Sequence, residues 1–286
     1  MRVLLLTSFL GLASCSPSAI VPQDVVAAQK QTLPAVQDTL VDVGGHRLHF
    51  NVWPGKAPAI LFEAGGGDDL STWKKIVEPV YRATGATVIT YDRAGFGKSE
   101  LNADRMSLHA QVADLKSGLA KLGVDDRYVL VGHSFGGYFS TLFAAQYPKQ
   151  VKHVVLLDAA HVAFYTDARV SSFQTEYAAL KAKFKQEDQG KYWMLENAME
   201  DKLEMAKSPF PASVPVVDVL AETPYGNSEA ERAEWAQVHE QFVAAAPNRR
   251  LIKAAGSGHY IMSDRPELVV ETIAQAYREG QGGRKE

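Results

Sequence analysis

One cysteine, Cys15, stands in a chain of 286 residues, so no internal disulfide can form. Charge of one sign is also missing: the formal net charge is −3 and no basic stripe occurs, which leaves nucleic-acid binding without electrostatic support. No apolar run is long enough to span a bilayer as a helix; Val3–Leu6 and Phe9–Leu12 together are too short. Asp68 and Asp69 have no His, Cys or carboxylate partners at ligand spacing. They read as turn or helix N-terminal residues, and no metal site is expected. Internal repeats and low-complexity tracts are absent.

What is present is enough apolar sequence, 46 %, for one sizeable core. Thr39–Val43 and His46–Trp53 flank Gly44-Gly45 and predict a hairpin. Further strands are expected at Ala59–Glu63, Thr87–Tyr91, Arg127–Val131, Val151–Asp158, Val214–Leu220 and Arg250–Ala254. Helices are expected between them: Ser71–Arg82, a core-facing one through Leu108, Val112, Leu115, Leu119 and Leu122, then Gly137–Tyr147, Glu229–Ala246 and a last one near Pro266. This alternation implies an α/β fold, a mostly parallel twisted sheet with helices on both faces. It pauses between His161 and Ser213. There Phe173, Tyr177, Leu180 and Phe184 fall on one helical face, and Tyr192, Leu195, Met199 and Leu203 on a second.

Gly132-His133-Ser134-Phe135-Gly136 carries the chemistry. It matches the nucleophile elbow G-x-S-x-G between a buried strand and a helix, the context that motif requires. The serine must sit in a strained turn with its hydroxyl exposed, and glycines at 132 and 136 let the backbone cross close to itself. A serine hydroxyl needs a base to take its proton. His259, in the loop Gly256-Ser257-Gly258-His259-Tyr260 after the last strand, is the candidate. The other histidines, His46, His49, His109, His153 and His239, have no motif behind them, and His133 is expected to pack beneath the elbow.

From about Thr39 to Arg278 the chain resembles the α/β-hydrolase family. Four stretches in the family's order carry the likeness: Leu61–Asp68 with Trp73, Tyr91–Ser99, Gly132–Gly137, and Gly256–Tyr260 with Asp264-Arg265-Pro266. The resemblance implies a cofactor-independent serine hydrolase. Ser134 would be the nucleophile, His259 the base, and the backbone N–H groups of Phe135 and Gly66 the oxyanion donors. It makes residues 161–213 a helical cap between core segments 39–160 and 214–286, with the cap's underside walling the pocket. Gly65 and His161 are the candidate substrate contacts. Asp92 and Arg93 are expected to hold loops together.

The acid is open at this point. Most relatives carry it after the strand that here ends at Leu220, but that loop reads Ala221-Glu222-Thr223-Pro224-Tyr225, with Pro224 where the aspartate belongs. Asp158, at the end of the preceding strand, is favoured because some lipases and dehalogenases of this fold carry their acid there. Glu222 is the alternative. The expected partner is a small-molecule ester. C–C or amide hydrolysis, acyl transfer, and a non-catalytic binding or sensor role are the other readings.

Residues 1–14 read as a signal peptide, with a charged start and a short apolar run. Leu12-Ala13-Ser14-Cys15 resembles the bacterial lipobox, which implies lipidation of Cys15 and contact with a membrane only through that anchor. Ser16 is similar to the residue of lipoproteins sorted to an outer membrane, so a cell-envelope location is expected. Residues 15–38 read as a tether.

Overall fold

The computed structural model describes residues 33–124 and 126–282. The expected signal peptide, Cys15 and most of the tether lie outside the described residues. The described strands are β1 (Gln37–Asp42), β2 (Arg47–Trp53), β3 (Lys56–Glu63), β4 (Ala86–Tyr91), β5 (Tyr128–His133), β6 (Val151–Leu157), β7 (Val216–Ala221) and β8 (Arg249–Ala254). The helices are α1 (Val77–Thr84), α2 (Leu108–Lys121), α3 (Gly136–Gln146), α4 (Asp167–Glu176), α5 (Ala178–Glu187), α6 (Gln189–Glu196), α7 (Ala198–Lys207), α8 (Glu229–Ala244), α9 (Ile261–Asp264) and α10 (Pro266–Gln281).

The strands form one eight-stranded sheet in the order β1-β2-β4-β3-β5-β6-β7-β8. β1 and β2 join antiparallel at one edge, and β4 through β8 pair parallel. A parallel sheet covered on both faces needs strands apolar on both faces. β4, β5 and β7 are accordingly buried at every position. Alternate residues feed two cores. Leu61, Leu130 and Leu156 meet Leu115 of α2, Phe139 of α3 and Trp235 of α8, while Ile60, Val131 and Val155 meet Val80 of α1 and Ile273 of α10.

Two expectations needed correction. The helix read at Ser71–Arg82 is split into a 3₁₀ turn, Leu70–Trp73, and α1. The Asp69 side chain caps the turn at Ser71 N, and Asp92 accepts from Leu70 N at 2.8 Å, so the turn is tied to the end of β4. The two apolar stripes between β6 and β7 become four helices, α4 to α7, broken at Tyr177 and Asn197. Leu180 and Leu203 of those stripes are exposed. The loops that follow β3, β5, β6 and β8 leave the sheet at its carboxyl end, where ligand sites of open α/β sheets gather.

Candidate active site

Ser134 follows β5 directly and has a φ of +50°, a region that L-residues enter only at a cost of about 1–2 kcal/mol. Close packing of the flanking glycines holds it there. A Cβ on Gly136 would lie 2.3 Å from the Glu63 carbonyl oxygen, and one on Gly132 would lie 2.5 Å from Ser140 Oγ. No side chain fits either position, so β5 and α3 can meet at a sharp turn that lifts the hydroxyl off the sheet. Backbone bonds fix the turn: the Ser134 carbonyl accepts from Gly137 N and from Ala160 N, both at 2.8 Å.

Asp158 follows β6, also with positive φ, +43°, and is fully buried. Its Oδ2 lies 2.6 Å from His259 Nδ1 and accepts from Tyr225 N at 2.9 Å. Its Oδ1 accepts from Trp235 Nε1 at 3.1 Å and from Ala221 N at 3.3 Å. Tyr225 N, Trp235 Nε1 and Ala221 N can only donate, so both oxygens of the carboxyl group act as acceptors. His259 must then carry its proton on Nδ1, which leaves Nε2 as an acceptor. Glu222 does not reach the imidazole. It is exposed and accepts from Gly256 N, bracing the histidine loop instead.

His133 packs under the same loop. Its Nε2 lies 3.0 Å from the His259 carbonyl oxygen and so carries the proton that bond requires. Burial, followed by the nearby charge of His259, pulls its pKa down to about 3, so it is a neutral donor that positions the His259 backbone.

Ser134, Phe135, Gly66 and His259 line one cavity of about 280 Å³. Further walls come from α3, α4, α6 and α7, through Tyr138, Phe173, Met194 and Asp201 among others, and from loop residues such as Asp68, Tyr165 and Tyr225. Gly66 faces Phe135, since a Cβ there would stand 3.4 Å from that of Phe135. The two residues expected to supply the oxyanion donors are therefore neighbours in the cavity wall.

Gly65 and His161, expected beside the substrate, are elsewhere. The Gly65 carbonyl accepts from Arg93, and a Cβ on Gly65 would meet the Asp68 carboxylate and His133 Nδ1 rather than the cavity. His161 turns away to Asp218 of β7, with its Nε2 3.1 Å from Asp218 Oδ2. His239 of α8 approaches the same oxygen at 2.8 Å through Nδ1. Among the described residues this is the one trio of histidine and carboxylate atoms close enough to hold a cation. Burial pushes the Asp218 carboxyl up, but His239 and His161 outweigh it and hold the group at about 2. Burial lowers His239 too, yet Asp218 raises it on balance, while burial lowers His161. The trio is thus a buried histidine–carboxylate–histidine cluster in which His239 is the more basic ring.

Arg93 and Tyr260 lie in stretches that carry the family resemblance, Arg93 as a residue expected to hold loops together, whereas Trp235 had no motif to mark it. Arg93 donates to both the Ala64 and Gly65 carbonyls and so ties the loop after β4 to the glycine loop. Trp235 holds Asp158, and Tyr260 Oη, 3.3 Å from Asp68 Oδ1, links the histidine loop to the glycine loop. For Arg93, its place in a glycine-rich loop after a buried strand was the available signal. Trp235 offered none, since it reads as ordinary helix packing.

Residues 58–214 match the family model described as the α/β hydrolase fold. With the sheet and the elbow, this makes the chain a member of the α/β-hydrolase family. It is 27 % identical over 210 residues to the uncharacterized protein YqjL of Bacillus subtilis, covering 73 % of this chain and 79 % of that one. It is also 33 % identical over 137 residues to the mouse sn-1-specific diacylglycerol lipase ABHD11, covering 47 % of this chain and 43 % of that protein. Among solved structures, a thermophilic esterase from Thermogutta terrifontis superposes with a TM-score of 0.64 at 19 % identity, over 86 % of this chain and 99 % of the other. That likeness speaks for the fold.

Proposed function

We propose that the protein is a carboxylic ester hydrolase that works through an acyl-enzyme on Ser134. The observation that carries the reading is the 2.6 Å contact between Asp158 Oδ2 and His259 Nδ1, with His259 lining one cavity together with the elbow serine. It fixes the tautomer that leaves Nε2 free to accept the serine proton.

Ser134 Oγ attacks the ester carbonyl carbon as its proton passes to His259 Nε2. The imidazolium so formed is stabilised by Asp158, and the carbonyl oxygen, now an anion, receives the N–H groups of Phe135 and Gly66. One such donor is typically worth about 3 kcal/mol to the transition state. The intermediate collapses, the C–O bond breaks, and His259 returns the proton to the departing alcohol. Water then attacks the acyl-serine, with His259 again as base, and releases the acid and free Ser134. Esters fit an apolar cavity of this size, and two relatives are named as an esterase and a lipase.

A series of p-nitrophenyl esters of increasing acyl length tests the reading. Wild-type protein is expected to turn over short and medium members, and Ser134→Ala to reduce kcat by several orders of magnitude with the fold intact. Near-wild-type turnover in a folded Ser134→Ala protein refutes it.

A further inference from the structure

Asp201 is an anomaly in the cavity wall. It comes from α7, is 3 % exposed, and lines the same cavity as Ser134. Its Oδ1 has no hydrogen-bond partner. Tyr138 of α3 lines the cavity beside it, and the Tyr138 hydroxyl is buried and unpartnered too. Buried polar atoms are normally satisfied, so two unpartnered ones on residues that line one cavity single out this wall.

The charge of that ligand follows from the surroundings. Among the described residues no ion pair reaches Asp201. Burial first, and then the like charges of Glu204 and Glu200, push its carboxyl well above the usual range. Arg93, which shares a small side cavity with Asp201, is already spent on the Ala64 and Gly65 carbonyls. Asp68 adds a second carboxyl to the main cavity, and no Lys or Arg lines it. The remaining walls present the rings of Phe135, Tyr138, Tyr165 and Tyr225. Aromatic faces beside a carboxyl, with no Lys or Arg in the wall, attract an ammonium group, and a bound cation supplies the opposite charge that favours ionised Asp201.

From this geometry we infer that the substrate is an ester bearing an ammonium group away from the scissile bond, held by Asp201 and the aromatic walls. The inference rests on the ester-hydrolase reading for its reaction, while the recognition site stands on its own residues.

Two isosteric pairs differing only in charge test it on the full-length protein. Acetylthiocholine is set against 3,3-dimethylbutyl thioacetate, and p-nitrophenyl 4-(trimethylammonio)butanoate against p-nitrophenyl 5,5-dimethylhexanoate. In at least one pair the cationic member is expected to have a kcat/KM higher by about tenfold or more. Asp201→Asn, of nearly the same shape, is expected to bring that ratio towards one. A neutral preference in both pairs overturns the inference, and so does an Asp201→Asn variant whose cation-to-neutral ratio is unchanged. Failure of the ester-hydrolase reading is a different result: none of the four compounds is turned over. In that event calorimetric titration with butyltrimethylammonium decides. Binding that Asp201→Asn weakens about tenfold keeps the site, and no binding, or equal binding by both proteins, removes it.

Discussion

Replacing Asp158 with Asn changes almost no volume and should nearly abolish turnover. The carboxylate is buried among donors alone: His259 Nδ1 and Tyr225 N at Oδ2, Trp235 Nε1 and Ala221 N at Oδ1. An amide must set its NH₂ against one of these two groups. Facing His259, it forces Nδ1 to accept, so the proton moves to Nε2 and the ring can no longer deprotonate Ser134. Facing Trp235 and Ala221, it keeps the tautomer but leaves buried donors unpaired, at about 1–3 kcal/mol of stability. The first arrangement spares the larger set of bonds and is the expected one. The loss in kcat should then be about ten-thousand-fold, equivalent to about 5 kcal/mol of transition-state stabilisation. The assay is steady-state hydrolysis of a short p-nitrophenyl ester, with a thermal melt as the fold control. Glu222→Gln, which touches only the Gly256 amide, should lose far less. A folded Asp158→Asn enzyme within about tenfold of wild type, or a Glu222→Gln enzyme equally impaired, would refute the reasoning.

Trp235→Phe removes one donor to a charged acceptor and should lower kcat about ten- to hundredfold while keeping the aromatic packing, read from kcat against Tm. Glu63 is buried beneath the glycine loop with only Tyr91 Oη on Oε2, and burial pushes its pKa up to about 7 despite Arg93 and that bond. Its folded pKa lies above its unfolded one, so stability is complete below about pH 4.5 and is lost as pH rises to about 7. Glu63→Gln should therefore gain on wild type across that window by about 3 kcal/mol, measured by urea melts; a constant difference would contradict it. If Cys15 is the lipidation site proposed from the sequence, labelled fatty acid should enter wild-type protein and not Cys15→Ser, and equal labelling of both would refute it.

The strands and the elbow were legible because their signals are local. Buried parallel strands are continuous apolar runs, and the elbow glycines are demanded by contacts at 2.3 and 2.5 Å that no side chain survives. The choice of Asp158 over Glu222 was half legible. Pro224 made the usual site unsuitable, but the contact itself joins residues 101 positions apart. His161 and Gly65 misled for the same physical reason. Each sits within three positions of a site residue, Asp158 for His161 and Gly66 for Gly65, yet its direction is set by a distant partner, Asp218 for His161 and Arg93 for Gly65. In the cap, periodicity marked apolar faces but could not register the breaks at Tyr177 and Asn197, where helices of eight to ten residues end. Asp201 was invisible because an acid among Glu200 and Glu204 on a charged helix reads as a solvated charge until its burial is seen.

The most direct test of the central claim is the site of covalent modification. Wild-type protein treated with a fluorophosphonate, digested and analysed by mass spectrometry should carry one adduct, on Ser134. His259→Ala should label slowly if at all, since the hydroxyl then has no base. An adduct on another residue, or no adduct on a protein that still hydrolyses esters, would contradict a mechanism built on Ser134, His259 and Asp158.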